Sequence, residues 1–537
     1  MSQESNCPHV EYMDYEDTGY FSKIALDYIL QAPGLKPFFA HPVSAQGIEA
    51  AIAARKNFPM AFRERLTTQL EKLYKKDSEV SEAWENIQAL KSPDCFTVTT
   101  AHQPNIFGGP LYLVYKILHV IQLADSLNEK YTDQHFVPVY YMGSEDADLD
   151  ELNHIEVEGK RYVWNTKQTG AVGRMRVDDH LLALIEELSG QIGISSQGAG
   201  FVHLLKEAYR KGVQIQEATF TFIHSLFGRF GLIILQPDNA ELKRLFEPVI
   251  IKEIKEQFSS KALVPVAAAI EKAGYKAQTH GRPINLFYLT EDRRERIELA
   301  DNEFTVPALG LAFTEDAILA EVKQYPERFS GNVVLRGPFQ ETILPNIIFV
   351  GGGGELAYWL EMKGVYDAVQ LPYPVLLLRN SFTLITEKET ELLNKLDITA
   401  AELFQEPFQI LNLLVQKRKQ QVSLEPAFRD LEKVYEQIQQ QALLTDPTLG
   451  IHVAALRSAA LKKAQGLAVK LDRAQRKKLE VESRHIQQLK SRLFPYNNLQ
   501  ERVENLASFY ASFGPILLDI IKAKSGTIES KYGLLYL

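Results

Sequence analysis

The strongest constraint on the fold of this chain is a change of period between residues 96 and 142. Phe96–Thr100 (FTVTT) is a short run rich in β-branched residues. Pro110 then opens LYLVYKILHVIQLADSL, where apolar residues recur at helical spacing. Proline is well tolerated at a helix start, because its missing N–H would be unpaired there anyway. Val137–Met142 (VPVYYM) returns to a strand-like run. Strand, helix, strand in one short stretch predicts a βαβ unit, and so a parallel sheet with helices on its faces. Further apolar runs at Leu232–Leu235, Ile284–Leu289, Val333–Leu335 and Val375–Leu378 read as strands. They alternate with helical stretches and extend the α/β pattern to residue 385. Ahead of it, residues 45–90 read as helices (IEAAIAARKNF, RERLTTQLEKLYKKD, VSEAWENIQAL).

After Phe382 the chain turns rich in Lys, Glu, Gln and Leu, up to about residue 500. Leu424, Phe428, Leu431, Tyr435, Ile438 and Ala442 step by four and three, which is a heptad seam. Thr445, Asp446, Pro447 and Gly450 make a turn. Leu449, Val453, Leu456 and Ala460 begin a second seam, which Ile486, Leu489 and Leu493 close. Two long antiparallel helices are the simplest picture, forming an arm of the kind used for dimerisation. The expected organisation is an α/β core over 1–385, an α-helical coiled-coil arm over 386–505, and a C-terminal segment over 506–537 that packs back on the core.

The 537 residues carry a formal net charge of −9, so no uniformly basic face is implied and nucleic acid is a poor default partner. Two cysteines, Cys7 and Cys95, are too few for a disulfide framework or a cysteine-rich zinc site. The polar N-terminus (MSQESNCPHVEYMDYED) holds no signal-peptide core, and no apolar run approaches the ~18 residues of a membrane helix. A cytoplasmic protein is expected. The phosphate-loop, HExxH and GxSxG signatures do not occur.

Three segments carry candidate chemistry. The first is TTAHQPNIFGGPLY, Thr99–Tyr112. Here a strand runs into a Gly/Asn/Pro loop and then a helix, whose unpaired N–H groups suit phosphate or carboxylate. His102, Gln103, Asn105, Gly108 and Gly109 are the candidate binding residues, with the two glycines letting a ligand approach the backbone. An ordinary loop with a solvated histidine is the alternative. The second is GSEDADLDELNH, Gly143–His154, directly after a strand. Its crowded carboxylates repel one another unless a cation is near, either a substrate amine or Mg²⁺. Glu145 and Asp146 are the site candidates. Asp148 and Asp150 are better placed to cap the next helix.

The third segment is RGPFQETILPNIIFVGGGGELAYW, Arg336–Trp359. Gly351, Gly352, Gly353 and Gly354 fit a turn whose backbone faces a ligand or another strand, since glycine weakens both helix and strand. Glu355 is read as starting a helix. Arg336, read as following a strand, suits bidentate carboxylate or phosphate binding. Arg282, Arg293, Arg294 and Arg296 either bind an anionic substrate or solvate a helix. A weaker nucleotide reading falls on Arg379 and Ser381, where core meets arm, with Lys490 and Arg492 near the end of the arm. No metal ligands are assigned.

Together these anchors resemble the bacillithiol-biosynthesis family of cysteine-adding enzymes. The likeness runs through TTAHQPNIFGGPLYLVYK, VPVYYMGSEDADLDELNH, RPINLFY, NVVLRGPFQETILPNIIFVGGGGELAYW and LPYPVLLLRNSFTLI, and resumes at LFPYNNLQERVEN. Gln103, Pro104, Gly108, Gly109, Pro110, Glu145, Asp146, Asn153 and His154 agree with the family pattern. The family usually has Gly-Gln-Gln-Pro-Gly where Ala101–Asn105 stands, often a histidine at Ala147, and proline at Gly353. These departures set His102 apart from the pattern and leave open a branch with a different acceptor.

The resemblance implies a Rossmann-like core with connecting insertions, similar to class I aminoacyl-tRNA synthetases, plus a coiled-coil domain and a homodimer. It also implies a ligase that joins the carboxyl of L-cysteine to the amine of glucosaminyl malate. Amide formation from a free carboxylate is uphill in water, so ATP is the expected activator. Mg²⁺ is allowed but not required by the pattern. On this reading the Gly108–Leu111 helix start holds phosphate or carboxylate, and Glu145 and Asp146 hold an ammonium group. Arg336 and the Gly351–Gly354 turn hold malate carboxylate or developing charge. A carboxylate or His154 takes the amine proton. The alternatives are another ATP-dependent ligase or nucleotidyl transferase on the same fold, and a non-catalytic coiled-coil scaffold.

Overall fold

The computed structural model describes residues 8–74, 81–279, 281–417, 424–477, 479–526 and 528–537. Cys7 lies outside these, as do residues 75–80, where two of the expected N-terminal helices abut. The chain forms two compact units: Met1–Thr383 with Asn498–Leu535, and Leu384–Asn497 with Tyr536–Leu537.

Eight strands of the first unit build and flank the site. In chain order they are β1 (Cys95–His102), β2 (His135–Met142), β3 (Ile233–Leu235), β4 (Leu286–Leu289), β5 (Arg294–Arg296), β6 (Phe329–Gly331), β7 (Asn346–Gly351) and β8 (Val375–Leu378). The helices are α1 (Leu111–Lys130), α2 (Ala240–Glu256), α3 (Val333–Ile343) and α4 (Gly353–Glu361). A five-stranded parallel sheet in the order β8-β7-β1-β2-β3 forms the centre. It contains the β1-α1-β2 unit that the change of period predicts.

The sheet is buried on both faces, as parallel sheets are. Val98, Val139, Ile348, Phe349 and Leu376 lie in its core, each contributing roughly 1.5–3 kcal/mol of burial. Helix α1 is buried almost all round, because it is held between the sheet and the helix Ile516–Lys524. Among the described residues no single helix is long and apolar enough to cross a membrane.

Register sets the site. His102 lies opposite Met142, and Gly351 lies opposite Leu378. The residues just beyond four strand ends are therefore neighbours. Gly143 N–H donates to the His102 carbonyl and Arg379 N–H to the Gly351 carbonyl, both at 2.8 Å. Strand order reverses between β7 and β1, the position where open α/β sheets bind ligands.

Several local expectations are corrected. Val333–Leu335 is not a strand but the first turn of α3. The Asn332 side chain accepts from Val334 N–H at 2.9 Å, and this cap outweighs the β-branched pair. The Ile284–Leu289 run does form a strand, β4, but in an antiparallel sheet of order β6-β4-β5 outside the central sheet. Arg294 and Arg296 stand on β5 rather than on a helix. The glycine run is not one turn: Gly351 ends β7, and α4 begins at Gly353, two residues before Glu355. None of the four has positive φ.

In the second unit, Glu425–Thr445 and Leu449–Lys477 pack against each other as a hairpin across the Asp446–Thr448 turn. Val453 is buried, whereas Ile438 is 45% and Leu456 49% exposed, so the expected seam is only partly covered. Ile486, Leu489 and Leu493, expected to close it, belong to a separate helix, Glu480–Leu493. They are buried there, and this helix packs on Glu387–Leu396 and Pro407–Lys417.

Candidate functional site

A cavity of about 750 Å³ opens at the ends of β1, β2 and β7, entirely within the first unit. All three chemistry-bearing segments reach it, though not always through the expected atoms.

From the first segment, His102 is the last residue of β1. Its Nε2 lies 3.0 Å from the Tyr112 hydroxyl. Burial, then Lys116 and Arg336, push its pKa well below the ordinary value, so the ring is neutral at pH 7. Gln103 Nε2 donates to Asp146 Oδ2 at 3.0 Å. Asn105 is buried outside the cavity lining, and its Nδ2 donates to the Glu151 carbonyl.

Gly108 and Gly109 do not open the backbone to a ligand. Both have positive φ, and a Cβ there would meet Phe222 Cε1 at 3.1 Å or Asn105 Cβ at 2.7 Å. They are needed for the turn and its packing. The helix start beside them is already covered by the chain itself. Leu111 N–H donates to the Glu504 carbonyl at 2.8 Å, and Asn505 Nδ2 donates to the Phe107 and Gly109 carbonyls. What α1 offers the cavity is a side-chain face one turn on, Tyr112 and Lys116.

From the second segment, Glu145 and Asp146 line the cavity, but both have cation partners within the protein. Glu145 pairs with the buried Lys243 on α2 and accepts from Ser330 Oγ at 3.2 Å. Lys243 also lies 3.4 Å from Asp238, which Arg174 grips through two nitrogens at 2.7 and 2.8 Å. Burial would raise the Asp238 pKa, but Lys243 and Arg174 prevail and hold it below the usual carboxylate value. Asp146 pairs with Arg294 at 3.2 Å.

Asp148 occupies the cap position of the short helix Leu149–Leu152, yet its side chain makes no capping bond. It is exposed at the cavity and has no cation partner among the described residues. Asp150 sits in the first turn of the same helix. Asn153 and His154 lie off the cavity lining, with His154 Nδ1 3.1 Å from Asn153 Oδ1. Burial, with help from Arg161, lowers the His154 pKa.

From the third segment, Arg336 on α3 donates to the Tyr358 hydroxyl at 2.7 Å and lies 6.0 Å from the centre of the Tyr141 ring. Gly352, Gly353 and Gly354 line the cavity; Gly351 does not. A Cβ at Gly351 would meet Phe349 Cε1 at 2.9 Å, whereas one at Gly354 meets nothing within 4 Å. Glu355 accepts from Gly352 N–H at 2.9 Å and pairs with Lys116. Burial lowers the Lys116 pKa, opposed by Glu355, and Lys116 also donates to the Ala101 carbonyl. This ion pair ties α1 to the start of α4.

Arg379 lines the cavity while held by Glu501 at 2.6 and 3.0 Å and by Ser381 Oγ at 2.9 Å. Lys490 and Arg492 are engaged within the second unit. Lys490 donates to the Leu403 and Gln405 carbonyls, and Arg492 pairs with Glu389 at 2.7 Å. Arg282, Arg294 and Arg296 line the cavity, while Arg293 pairs with Glu295.

Four arginines thus face the cavity without a carboxylate in ion-pair contact among the described residues: Arg282, Arg296, Arg336 and Arg502. Asp148 is the matching unpaired carboxylate. The cavity is built to take anions along most of its wall and one cationic group at Asp148. Among the described residues no group of three or more His, Cys, Asp or Glu side chains is placed to hold a metal ion.

Sequence reasoning missed Lys116, Lys243, Asp238, Arg174 and Arg502. A signal existed for Lys116, the one Lys, Arg, Asp or Glu in the otherwise apolar stretch Leu111–Leu123. None existed for Lys243, which sits among other lysines and glutamates on α2.

Residues 9–380 match the model of the N-terminal Rossmann-like domain of the bacillithiol biosynthesis protein BshC, and residues 382–537 match its C-terminal coiled-coil domain. A Flavobacterium johnsoniae protein named "Putative cysteine ligase BshC" is 35% identical over 97% of this chain and 99% of its own length. A protein of the same name from Christiangramia forsetii is 34% identical over 97% and 98%. A solved structure titled "putative arginyl t-RNA synthetase", from Campylobacter jejuni, covers 83% of this chain and 98% of its own, at 12% identity and a TM-score of 0.22. At that score the likeness carries no argument.

Proposed function

Starting from the fact that the chain belongs to the bacillithiol biosynthesis BshC family, we propose that it is a ligase joining the carboxyl of L-cysteine to the amine of glucosaminyl malate. The observation that carries this reading is the set of unpaired arginines around one cavity at the sheet's switch point, with a single unpaired carboxylate, Asp148, in the same lining. A malate group brings two carboxylates, which Arg336 and Arg502 are suited to bind. Asp148 is suited to hold an ammonium group.

The arginine-lined wall, which continues to Arg282 and Arg296, also fits a phosphate-bearing co-substrate. When bound, ATP would activate the cysteine carboxylate by phosphoryl or adenylyl transfer. The acceptor nitrogen then attacks the activated acyl carbon, the C–N bond forms, and the bond to the leaving phosphate or nucleotide oxygen breaks with its electron pair. The proton lost by the nitrogen passes to a base at the cavity wall. Asp148 is free for that role, and neutral His102 is the second candidate acceptor. Lys116 and Glu355 act through structure, by fixing the glycine segment against α1.

The apolar side chains exposed on the arm, Val434, Ile438 and Leu456 among them, support a homodimer formed through that arm. Light scattering on the purified chain tests this directly.

The test of the reaction is product detection by mass spectrometry with cysteine, glucosaminyl malate, ATP and Mg²⁺. Wild type should form the amide, and Arg336→Ala and Asp148→Asn should each lose most of it. Amide formed at wild-type rate by both variants would remove the cavity from the reaction.

A further inference from the structure

Two of the unpaired arginines are not taken up by the malate carboxylates. Arg282 and Arg296 line the main cavity and also a second chamber of about 250 Å³. The two spaces share these arginines together with Phe287 and Asn332, so they lie side by side.

The chamber is built on the β4–β5 hairpin, where Phe287 stands opposite Arg296 and Leu289 opposite Arg294. Both guanidinium groups lie over the Phe287 ring, at 4.0 Å for Arg294 and 5.7 Å for Arg296. Arg294 is committed to Asp146 and to the Gly331 carbonyl at 3.1 Å. Arg296 and Arg282 are not in contact with any carboxylate among the described residues.

The amides of the chamber wall are fixed. Asn332 donates to Asn285 at 2.8 Å and caps α3, while Asn285 is held by Ser259. Glu298 is the one carboxylate that lines the chamber. Two unpaired guanidinium groups over a fixed floor, against one carboxylate, leave this end of the site net positive. Arg336, Arg502 and the Gly352–Gly354 segment line the main cavity but not this chamber.

We infer that Arg282 and Arg296 form a polyphosphate subsite that holds the phosphate chain of the nucleotide co-substrate while the acceptor occupies the Arg336 end. The inference rests on the ligase reading of the same cavity. A reaction that joins a dicarboxylate-bearing acceptor to an acid activated by a triphosphate has to bind two polyanions in one cavity in the course of a turnover. One cluster of cations serving both would make them compete. Guanidinium forks match phosphate oxygens bidentately, and because both arginines also line the main cavity, a phosphate chain held by them has its reacting end at that cavity.

The test is calorimetric titration of the full chain with inorganic tripolyphosphate, with ATP and with malate. The wild type is compared with Arg282→Ala/Arg296→Ala. Both side chains are exposed and unpaired, so the variant should melt with the wild type. Tripolyphosphate and ATP should both bind the wild type and bind the variant on the order of 10-fold or more weakly. Malate affinity should stay within about twofold of wild type. Unchanged tripolyphosphate affinity in the variant, an equal loss for malate, or no binding of either polyphosphate to the wild type would each overturn the subsite. Failure of the ligase reading looks different: tripolyphosphate still binds through these arginines, but no amide forms from cysteine and glucosaminyl malate.

Discussion

Replacing Lys243 by Met should cost the first unit about 3–5 kcal/mol, the range for removing one partner of a buried ion pair. The Lys243 side chain is 2% exposed, between Asp238 at 4% and Glu145 at 11%. Asp238 keeps its two-pronged contact with Arg174 when Lys243 is removed, so most of the penalty falls on Glu145. Its one remaining hydrogen-bond partner among the described residues is Ser330 Oγ at 3.2 Å, a neutral donor worth ~1 kcal/mol. Glu145→Gln in the Lys243→Met background removes the stranded charge. The double variant should therefore be more stable than the sum of the two single losses by about 1–3 kcal/mol. All three tryptophans, Trp84, Trp164 and Trp359, lie in the first unit, so denaturant titration followed by tryptophan fluorescence reads this unit alone. Strictly additive losses, or a Lys243→Met cost under ~1 kcal/mol, would refute the idea that this lysine neutralises the cavity floor.

The geometry gives three further expected outcomes. Gly354→Ala should raise stability by up to ~1 kcal/mol, because a helical glycine is replaced where a Cβ meets nothing, yet it should lower activity by narrowing the cavity; thermal melts and the amide assay read the two effects separately. His102 is held neutral in the fold, so below its unfolded pKa near 6.5 the unfolded chain takes up a proton that the folded chain does not. Stability is thus lost as pH falls through 6.5, and His102→Gln should flatten that part of a stability–pH curve. Burial, with Glu156 and Glu158 nearby, raises the Glu504 carboxyl to about 7, so the folded chain binds its proton more tightly than the unfolded chain. Stability should rise as pH falls from about 7 toward 4.5, and Glu504→Gln should remove that rise in denaturation curves recorded across this range.

The central βαβ unit was legible because a β-branched run at Phe96–Thr100 and a short apolar run at Val137–Met142 flank the helical spacing that follows Pro110. The placing of the first two segments at strand ends was also legible, since Thr99–Tyr112 and Gly143–His154 each run on from a short apolar stretch that does form a strand. What misled was local: Val333-Val334 reads as strand by propensity, and only the Asn332 cap turns it into a helix start. The acidic cluster was correctly placed at a strand end, but its counter-cations were invisible. Lys243 and Arg294 come from far along the chain, and a long-range ion pair leaves no mark in spacing. The same holds for the α1 start, where the Glu504 carbonyl accepts the Leu111 N–H and Asn505 Nδ2 donates to the carbonyls of the preceding loop. The arm's seam was legible as a heptad but not its extent, because Ile486, Leu489 and Leu493 continue the spacing while belonging to a different helix.

The most direct test of the central claim traces the oxygen atoms. Cysteine labelled with ¹⁸O in both carboxylate positions would be incubated with the wild-type chain, glucosaminyl malate, ATP and Mg²⁺, and the products weighed by mass spectrometry. The account predicts one labelled oxygen in the amide product and the other in the released phosphate or AMP. No amide, or an amide formed with unlabelled phosphate and AMP, would contradict it.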